Sequence, residues 1–202
     1  MSQTAPPFWN DIVAFRKLDS VHPVQAHAVL FIGSSSFTRW KDVNDYFPGY
    51  PIVNRAFGAS TLLDLIRYSY DIIIPYQPRQ VVIYCGENDL AYSDTLSAAE
   101  VVKRFKTLYG IIRLNLPNAI IDYISIKPSP SRIKNLGKVK EANKEIARFL
   151  KKQKKSAFID VFPSMVDAKG NPREELFVED RLHMNPKGYA IWKAIILPYL
   201  TK

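Results

Sequence analysis

The sequence predicts an α/β protein in which five parallel strands form a doubly wound sheet between two layers of helices, a three-layer arrangement that rests on three observations. Five short runs rich in β-branched and aromatic residues alternate with longer stretches whose apolar residues recur at helical spacing. The clearest run, 80–85, follows its first residue with five apolar ones, as expected of a strand buried on both faces of a parallel sheet. Three of the runs end in a glycine beside polar residues: Gly33-Ser34-Ser35, Gly58-Ala59-Ser60 and Gly86-Glu87-Asn88-Asp89. In an open parallel sheet these carboxyl ends share one rim, and ligands bind there.

Taken in order, Phe8, Ile12 and Phe15 recur at steps of four and three, which predicts a short amphipathic helix over 8–18 within an N-terminal extension, 1–20. A loop containing Pro23 leads to the first strand, 29–32, which stops at Gly33 and three serines. A short helix is expected to begin at Thr38-Arg39-Trp40, and the polar stretch 42–50 closes at the turn dipeptide Pro48-Gly49. Residues 51–57 read as the second strand and 61–74 as a helix ended by Pro75. The third strand, 80–85, precedes a long helix over 95–114, with Asp94 or Thr95 as its cap and Pro117 beyond its end. Residues 119–126 form the fourth strand, followed by the loop Lys127-Pro128-Ser129-Pro130. Leu136, Val139, Ile146 and Leu150 stripe a helix over 131–152, with Asn143 on the same stripe making a local hydrogen bond. After a fifth strand, 157–161, Asn185-Pro186 supplies a cap and a first-turn proline for a last helix carrying Tyr189, Trp192 and Ile196. No repeat or linker divides the chain, so 1–202 is expected to form one domain.

At 202 residues the chain can bury a substantial core, and its 47% apolar and 23% charged content is that of a soluble globular protein. No run approaches the roughly 18 consecutive apolar residues of a membrane helix, and no basic-then-apolar leader opens the chain. The polar, proline-containing start, 1–7, suits a native N-terminus or the remnant of a removed signal. The expected compartment is cytoplasmic in the first case and periplasmic or secreted in the second. The net charge of +9 raises the question of an anionic partner. Much of it is one run, Lys151-Lys152-Gln153-Lys154-Lys155, at the end of a helical pattern, where cations oppose the helix dipole. Aromatic residues do not alternate with the basic ones, and nucleic acid is not an expected partner. Cys85 reads as a buried thiol. One cysteine and dispersed histidines, His22, His27 and His183, lead to the expectation of no metal and no cofactor.

The chemistry lies at the predicted rim. A hydroxyl delivered by a strand end is a candidate nucleophile, while serines there also suit a turn or a helix cap. Nothing local chooses among Ser34, Ser35 and Ser36. Far downstream, Asp180 and His183 stand three residues apart, a spacing at which one turn of helix brings two side chains together. A carboxylate so placed can hold an imidazole by one nitrogen and leave the other free to take a proton from a serine.

In this order the four segments resemble the blocks that mark the SGNH hydrolases, also called GDSL-type lipases and acylhydrolases, from Val29 to Tyr189. The resemblance implies a flavodoxin-like sheet order and a serine nucleophile at Ser35. It also implies an oxyanion hole of the Ser35 N–H, the Gly58 N–H and the Asn88 side-chain amide, and a base, His183, oriented by Asp180. The family's Gly-Asp-Ser tripeptide is here Gly33-Ser34-Ser35, so Ser34 stands where an aspartate supports the nucleophile loop and can supply a comparable hydrogen bond. Arg181 stands where a small residue is common, which narrows the site or offers the substrate a cation. Glu87 reads as a substrate contact or a structural hydrogen bond, and Asp89 as a structural residue fixing the turn that presents Asn88. The loop 127–132, from Lys127 to Arg132, leaves another strand end at the same rim and either lines the acyl or alcohol pocket or is a rigid turn.

The implied activity is that of a serine esterase working through an acyl-enzyme. Short loops and the lack of an apolar lid favour small acyl groups, acetyl above all, on a carbohydrate or other polar small-molecule carrier. A lysophospholipase- or thioesterase-type acylhydrolase would keep the same residues. An alternative of a different kind is a non-catalytic carbohydrate- or anion-binding protein on a hydrolase scaffold.

Overall fold

The structure, a computed structural model, describes residues 5–202, so the first four residues of the expected N-terminal extension lie outside the described residues. Five strands, β1 (Val29–Gly33), β2 (Ile52–Asn54), β3 (Gln80–Tyr84), β4 (Ile120–Ile124) and β5 (Ser156–Ile159), pair in parallel in the order β2-β1-β3-β4-β5. The α-helices are α1 (Trp9–Val21), α2 (Ser35–Thr38), α3 (Val43–Tyr46), α4 (Leu62–Arg67), α5 (Ser69–Ile72), α6 (Glu87–Tyr92), α7 (Ala98–Asn115), α8 (Leu136–Leu150) and α9 (Pro186–Ile196). This is the fold and strand order that the sequence predicts.

Alternation along each strand divides the core into two layers. Leu30, Ile32, Val81, Ile83, Ile121 and Tyr123 pack on one face against α1, α4, α7 and α8. Val29, Phe31, Val82, Tyr84, Ile124 and Ile159 pack on the other against α2, α3 and α9. The second layer is strongly aromatic. Phe31 stacks on Phe37 with centroids 4.6 Å apart, and Trp192 of α9 meets Tyr84 at 4.8 Å. These contacts seat α2, and with it the serine run, on the end of β1.

Several elements differ from expectation for identifiable reasons. The second strand is shorter than 51–57, although Arg55 and Phe57 still donate to the Phe31 and Gly33 carbonyls. The helix expected over 61–74 breaks at Tyr68, whose backbone leaves the helical region, into α4 and α5. The long helix begins at Ala98 because Ser97, not Asp94 or Thr95, accepts the Glu100 N–H, while Asp94 pairs with Lys134. A 3₁₀ segment, Pro130–Asn135, precedes α8, which ends at Leu150, so the whole lysine run lies beyond the helix. Asn143 makes no local bond. It holds the N–H and C=O of Ile126, just past β4, at 2.8 and 2.9 Å. The serines open a helix rather than precede one, and α6 begins where a turn presenting Asn88 was expected.

Gly33 is the position at which the sheet tolerates no side chain. Its φ is +145°, and a Cβ there would lie 1.9 Å from the Tyr84 carbonyl oxygen. Gly33→Ala is therefore expected to cost about 4 kcal/mol or more, or to prevent folding, in urea titration. Gly58→Ala, whose Cβ would meet nothing within 4 Å, is expected to keep the parent midpoint. Equal midpoints for both variants would show that β1 and β3 do not approach so closely.

Candidate active site

The strand order reverses between β1 and β3, and the segments leaving those two strands lie side by side at the switch point. Gly33 pairs with Tyr84, and the Ser34 N–H donates to the Tyr84 carbonyl at 3.1 Å. Ser34 stays extended and α2 starts at Ser35. Two remote side chains fix this short helix: Asn54 donates to the Phe37 carbonyl at 2.7 Å and the Tyr189 hydroxyl to the Ser36 carbonyl at 2.8 Å.

Of the three serines, Ser35 is the one brought to His183, with Oγ 2.9 Å from Nε2. His183 Nδ1 lies 2.6 Å from Asp180 Oδ2. An ionised carboxylate only accepts, so Nδ1 carries the proton and Nε2 offers its lone pair to the serine. Burial would push the Asp180 carboxyl up. The His183 ring and the His183 and Leu182 backbone N–H groups outweigh it and hold the carboxyl well below the usual carboxylate range. Asp180 and His183 do not share a helical turn, which corrects the expectation from their spacing. They sit in a tight turn ahead of α9, in which Asp180 Oδ1 accepts both N–H groups and Arg181 adopts a left-handed φ of +55°. Asn185 then caps α9, accepting from the Lys187 and Gly188 N–H groups.

Gly58 follows Phe57, whose N–H donates to the Gly33 carbonyl at 3.0 Å, so it stands beside the end of β1 on the side away from β3. Neither the Ser35 nor the Gly58 N–H finds an acceptor among the described residues. The Asn88 amide donates to the Ser60 carbonyl at 2.9 Å, which fixes its plane and leaves its second N–H for another acceptor. Asp89 is buried, accepting the Leu62 N–H at 3.0 Å and pairing with Arg104 at 2.8 Å. Burial nonetheless pushes its carboxyl up. It ties α6 to α4 and α7.

Beneath these groups lies a buried charged cluster. Glu87 Oε2 accepts from the Tyr84 hydroxyl at 2.8 Å and from Lys127 Nζ at 2.6 Å, and its Oε1 accepts from the Ser129 hydroxyl. Burial would raise the Glu87 carboxyl, but Lys127 and Arg132 hold it below the ordinary range. Burial likewise pushes the Lys127 ammonium down against the pull of Glu87. Lys127, with only 1% of its side chain exposed, and Glu87 were candidates for contact with substrate. Each is instead spent on the other, which for Glu87 is the structural role also expected of it and for Lys127 takes the place of an open substrate contact. Ser34 is also buried, and its backbone rather than its hydroxyl holds the loop. Arg181 is exposed and pairs with Glu174 at 2.5 Å, while its carbonyl accepts the Ser131 N–H at 3.0 Å.

Sequence reasoning missed Arg39, one turn after Ser35, whose Nη1 lies 3.8 Å from Asp180 Oδ2, and Ser60, which orients Asn88. The i+4 spacing of Ser35 and Arg39 was the available signal for the first. Ser60 offered none, because its backbone carbonyl does the work. Among the described residues no group of three histidine, cysteine, aspartate or glutamate side chains could hold a metal ion. A cavity of 680 Å³ runs along the outer edge of β2, lined by Asp11, Phe15, Trp40, Asn54 and Arg55 among others, and none of Ser35, Asp180 and His183 lines it.

The profile of the GDSL-like Lipase/Acylhydrolase family matches residues 31–191. No curated protein sequence matches the chain. Among solved structures, a Streptococcus pneumonia protein named as a candidate platelet activating factor is similar at 20% identity and TM-score 0.82, over 95% of this chain and 92% of that one. A GDSL-like lipase from Bacteroides thetaiotaomicron is similar at 18% identity and TM-score 0.81, over 93% and 96%. A catalytic mutant of Axe2, an acetylxylan esterase from Geobacillus stearothermophilus, is similar at 15% identity and TM-score 0.67, over 85% and 93%. At these identities the structural likeness concerns the fold.

Breaking a buried ion pair strands a charge, whereas removing both partners does not. Lys127→Met is expected to cost about 3–5 kcal/mol in urea titration, and Glu87→Gln/Lys127→Met to recover most of that loss. A double variant no more stable than Lys127→Met would show that the two side chains do not act as a pair.

Proposed function

Because the chain belongs to the GDSL-like lipase/acylhydrolase family, we propose that it hydrolyses carboxylic esters of short acyl groups through an acyl-enzyme formed on Ser35. The observation that carries this reading is the continuous hydrogen-bonded line from Ser35 Oγ through His183 to Asp180. His183 Nε2 takes the Ser35 proton as Oγ attacks the ester carbonyl. Charge developing on the carbonyl oxygen is met by donors already in place: the unpaired Ser35 and Gly58 N–H groups and the second N–H of Asn88. The imidazolium then returns its proton to the departing alcohol. Water activated by the same nitrogen releases the acid and restores the serine.

Two features support short acyl groups, acetyl above all, on a carbohydrate or other polar carrier. The triad stands at an open rim, with 41% of the Asp180 side chain exposed, and short segments surround it. The fold is also shared with an acetylxylan esterase. A binding protein without turnover would have no use for a correctly tautomerised imidazole against a serine hydroxyl.

An organophosphonate is expected to add its mass to the wild-type protein and not to Ser35→Ala; an adduct persisting in Ser35→Ala would overturn the nucleophile assignment. Asn88→Ala is expected to lower kcat about 10²- to 10³-fold on 4-nitrophenyl acetate, and rates rising towards C8 esters would count against short acyl groups. Asp180 stays ionised on mild acidification, its folded carboxyl lying below the unfolded value. A protonated imidazole cannot accept the serine proton, and kcat/KM is expected to fall as pH is lowered. Undiminished activity at about pH 4 would exclude a histidine base.

A further inference from the structure

The charges around the site leave one cation in excess. Glu87 is neutralised by Lys127, and its oxygens are filled by Lys127, the Tyr84 hydroxyl and the Ser129 hydroxyl. Asp180 has Arg39 at 3.8 Å, and Glu174 has Arg181 at 2.5 Å. Arg132 shares Glu87 with Lys127, and one carboxylate facing two cations leaves a net positive charge. Its side chain is only 18% exposed, and its Nη1 lies 3.7 Å from Glu87 Oε1, within ion-pair reach and beyond hydrogen-bonding distance. Among the described residues no other carboxylate lies within 4 Å of it, and none of its guanidinium N–H groups finds an acceptor.

The place of this surplus cation gives it meaning. Arg132 belongs to the 3₁₀ segment that leaves β4 at the same rim, and its own N–H donates to the Ser129 carbonyl at 2.9 Å. The preceding residue, Ser131, is bonded to the Arg181 carbonyl in the turn that carries His183. Glu87, the carboxylate nearest to Arg132, immediately precedes Asn88. The guanidinium is thus framed by the oxyanion-hole segment on one side and the base-bearing turn on the other. A guanidinium held by its stem, with its planar fork of donors unspent, is suited to a carboxylate or phosphate that accepts two N–H bonds at once. Each nitrogen of that guanidinium still reaches solvent, so water occupies the fork until an anion displaces it.

We propose that Arg132 is the specificity-determining contact for an anionic oxyacid group, carboxylate or phosphate, carried by the ester that Ser35 attacks. The proposal rests on the ester-hydrolase reading above and adds the substrate's charge to it. The buried pair Glu87–Lys127 fixes the floor of the subsite and takes no part in binding the anion.

Two matched pairs of acetates test it: 2-acetoxypropanoate against 2-acetoxypropanamide, and acetylglycerol phosphate against monoacetylglycerol, each scored by acetate released. The wild-type protein is expected to favour the anionic member of one pair by about tenfold to a hundredfold in kcat/KM, mainly through KM. The favoured pair identifies the anion as carboxylate or phosphate. That ratio is expected to shrink as salt is added, to fall to near one in Arg132→Gln, and to recover in part in Arg132→Lys. The wild-type comparison requires no variant, so misfolding of Arg132→Gln cannot decide the question. Neutral esters turned over as well as anionic ones, with the ratio unmoved in Arg132→Gln, would overturn the inference and leave the ester-hydrolase reading standing. No turnover of any of the four would overturn the inference, and failure of Ser35 to take the phosphonate as well would overturn the reading beneath it.

Discussion

The rim depends on one backbone position, Gly33, at which three separate segments meet. On one side its Cα lies so close to the Tyr84 carbonyl that only hydrogen fits. On the other its own carbonyl accepts the Phe57 N–H at 3.0 Å and the Ser60 hydroxyl at 3.1 Å. The first contact sets β1 against β3 and therefore Ser35 beside the segment that carries Asn88. The second brings Gly58 alongside, and the Ser60 carbonyl then turns the Asn88 amide. Adjacent parallel strands are about 4.8 Å apart, so parts of the chain remote in sequence begin their loops within a few ångströms of each other. A side chain at residue 33 would push β1 and β3 apart where their loops must be closest.

His183 is held in a different way, by a local turn rather than by the sheet. Asp180 spends one oxygen on two backbone N–H groups and the other on the imidazole, so the same carboxylate that orients the ring also closes the turn that delivers it. A carboxylate with three donors stays charged even where it is partly exposed. The cost is local: Arg181 must take a left-handed conformation, uncommon for a residue with a side chain. Two anchors keep the turn from drifting. The Val178 N–H donates to the His183 carbonyl at 2.8 Å, and Asn185 reaches back to the Glu175 and Phe177 carbonyls.

Much of this architecture was legible because it is written in residue types that act locally. Runs such as 80–85 bury both faces inside a parallel sheet, and glycines at strand ends mark the rim, whereas the strand order and the grouping of Ser35, Gly58 and Asn88 were implied by the family resemblance. What was not legible depended on distant partners. Glu87 and Lys127 are 40 residues apart, and a charged side chain read without its partner looks like a solvent or substrate group. Asn143 pairs with a strand end 17 residues away, so its place on an apolar stripe suggested a local bond. The spacing of Asp180 and His183 was read correctly as proximity and wrongly as helix, since an i to i+3 contact fits a helical turn and a carboxylate-closed turn alike. Helix α6 was hidden because the polar residues at its start, Glu87, Asn88 and Asp89, are buried in bonds to other segments rather than set in an amphipathic pattern.

A buried ion pair beneath such a site is not explained by stability, since well-packed apolar residues of similar size would do as well or better. Its value lies in direction. An apolar pair can slide, but a carboxylate filled by an ammonium and two hydroxyls has one arrangement that satisfies every partner. Through Glu87 that arrangement reaches the residue before Asn88. Through Lys127 and Ser129 it reaches the loop whose Ser131 N–H grips the Arg181 carbonyl. The cluster therefore connects the segment bearing Asn88 to the turn bearing His183, two parts of the chain remote in sequence. With Arg132 at its edge, 3.7 Å from Glu87, the cluster sets two cations against one carboxylate and so carries a net positive charge towards the rim.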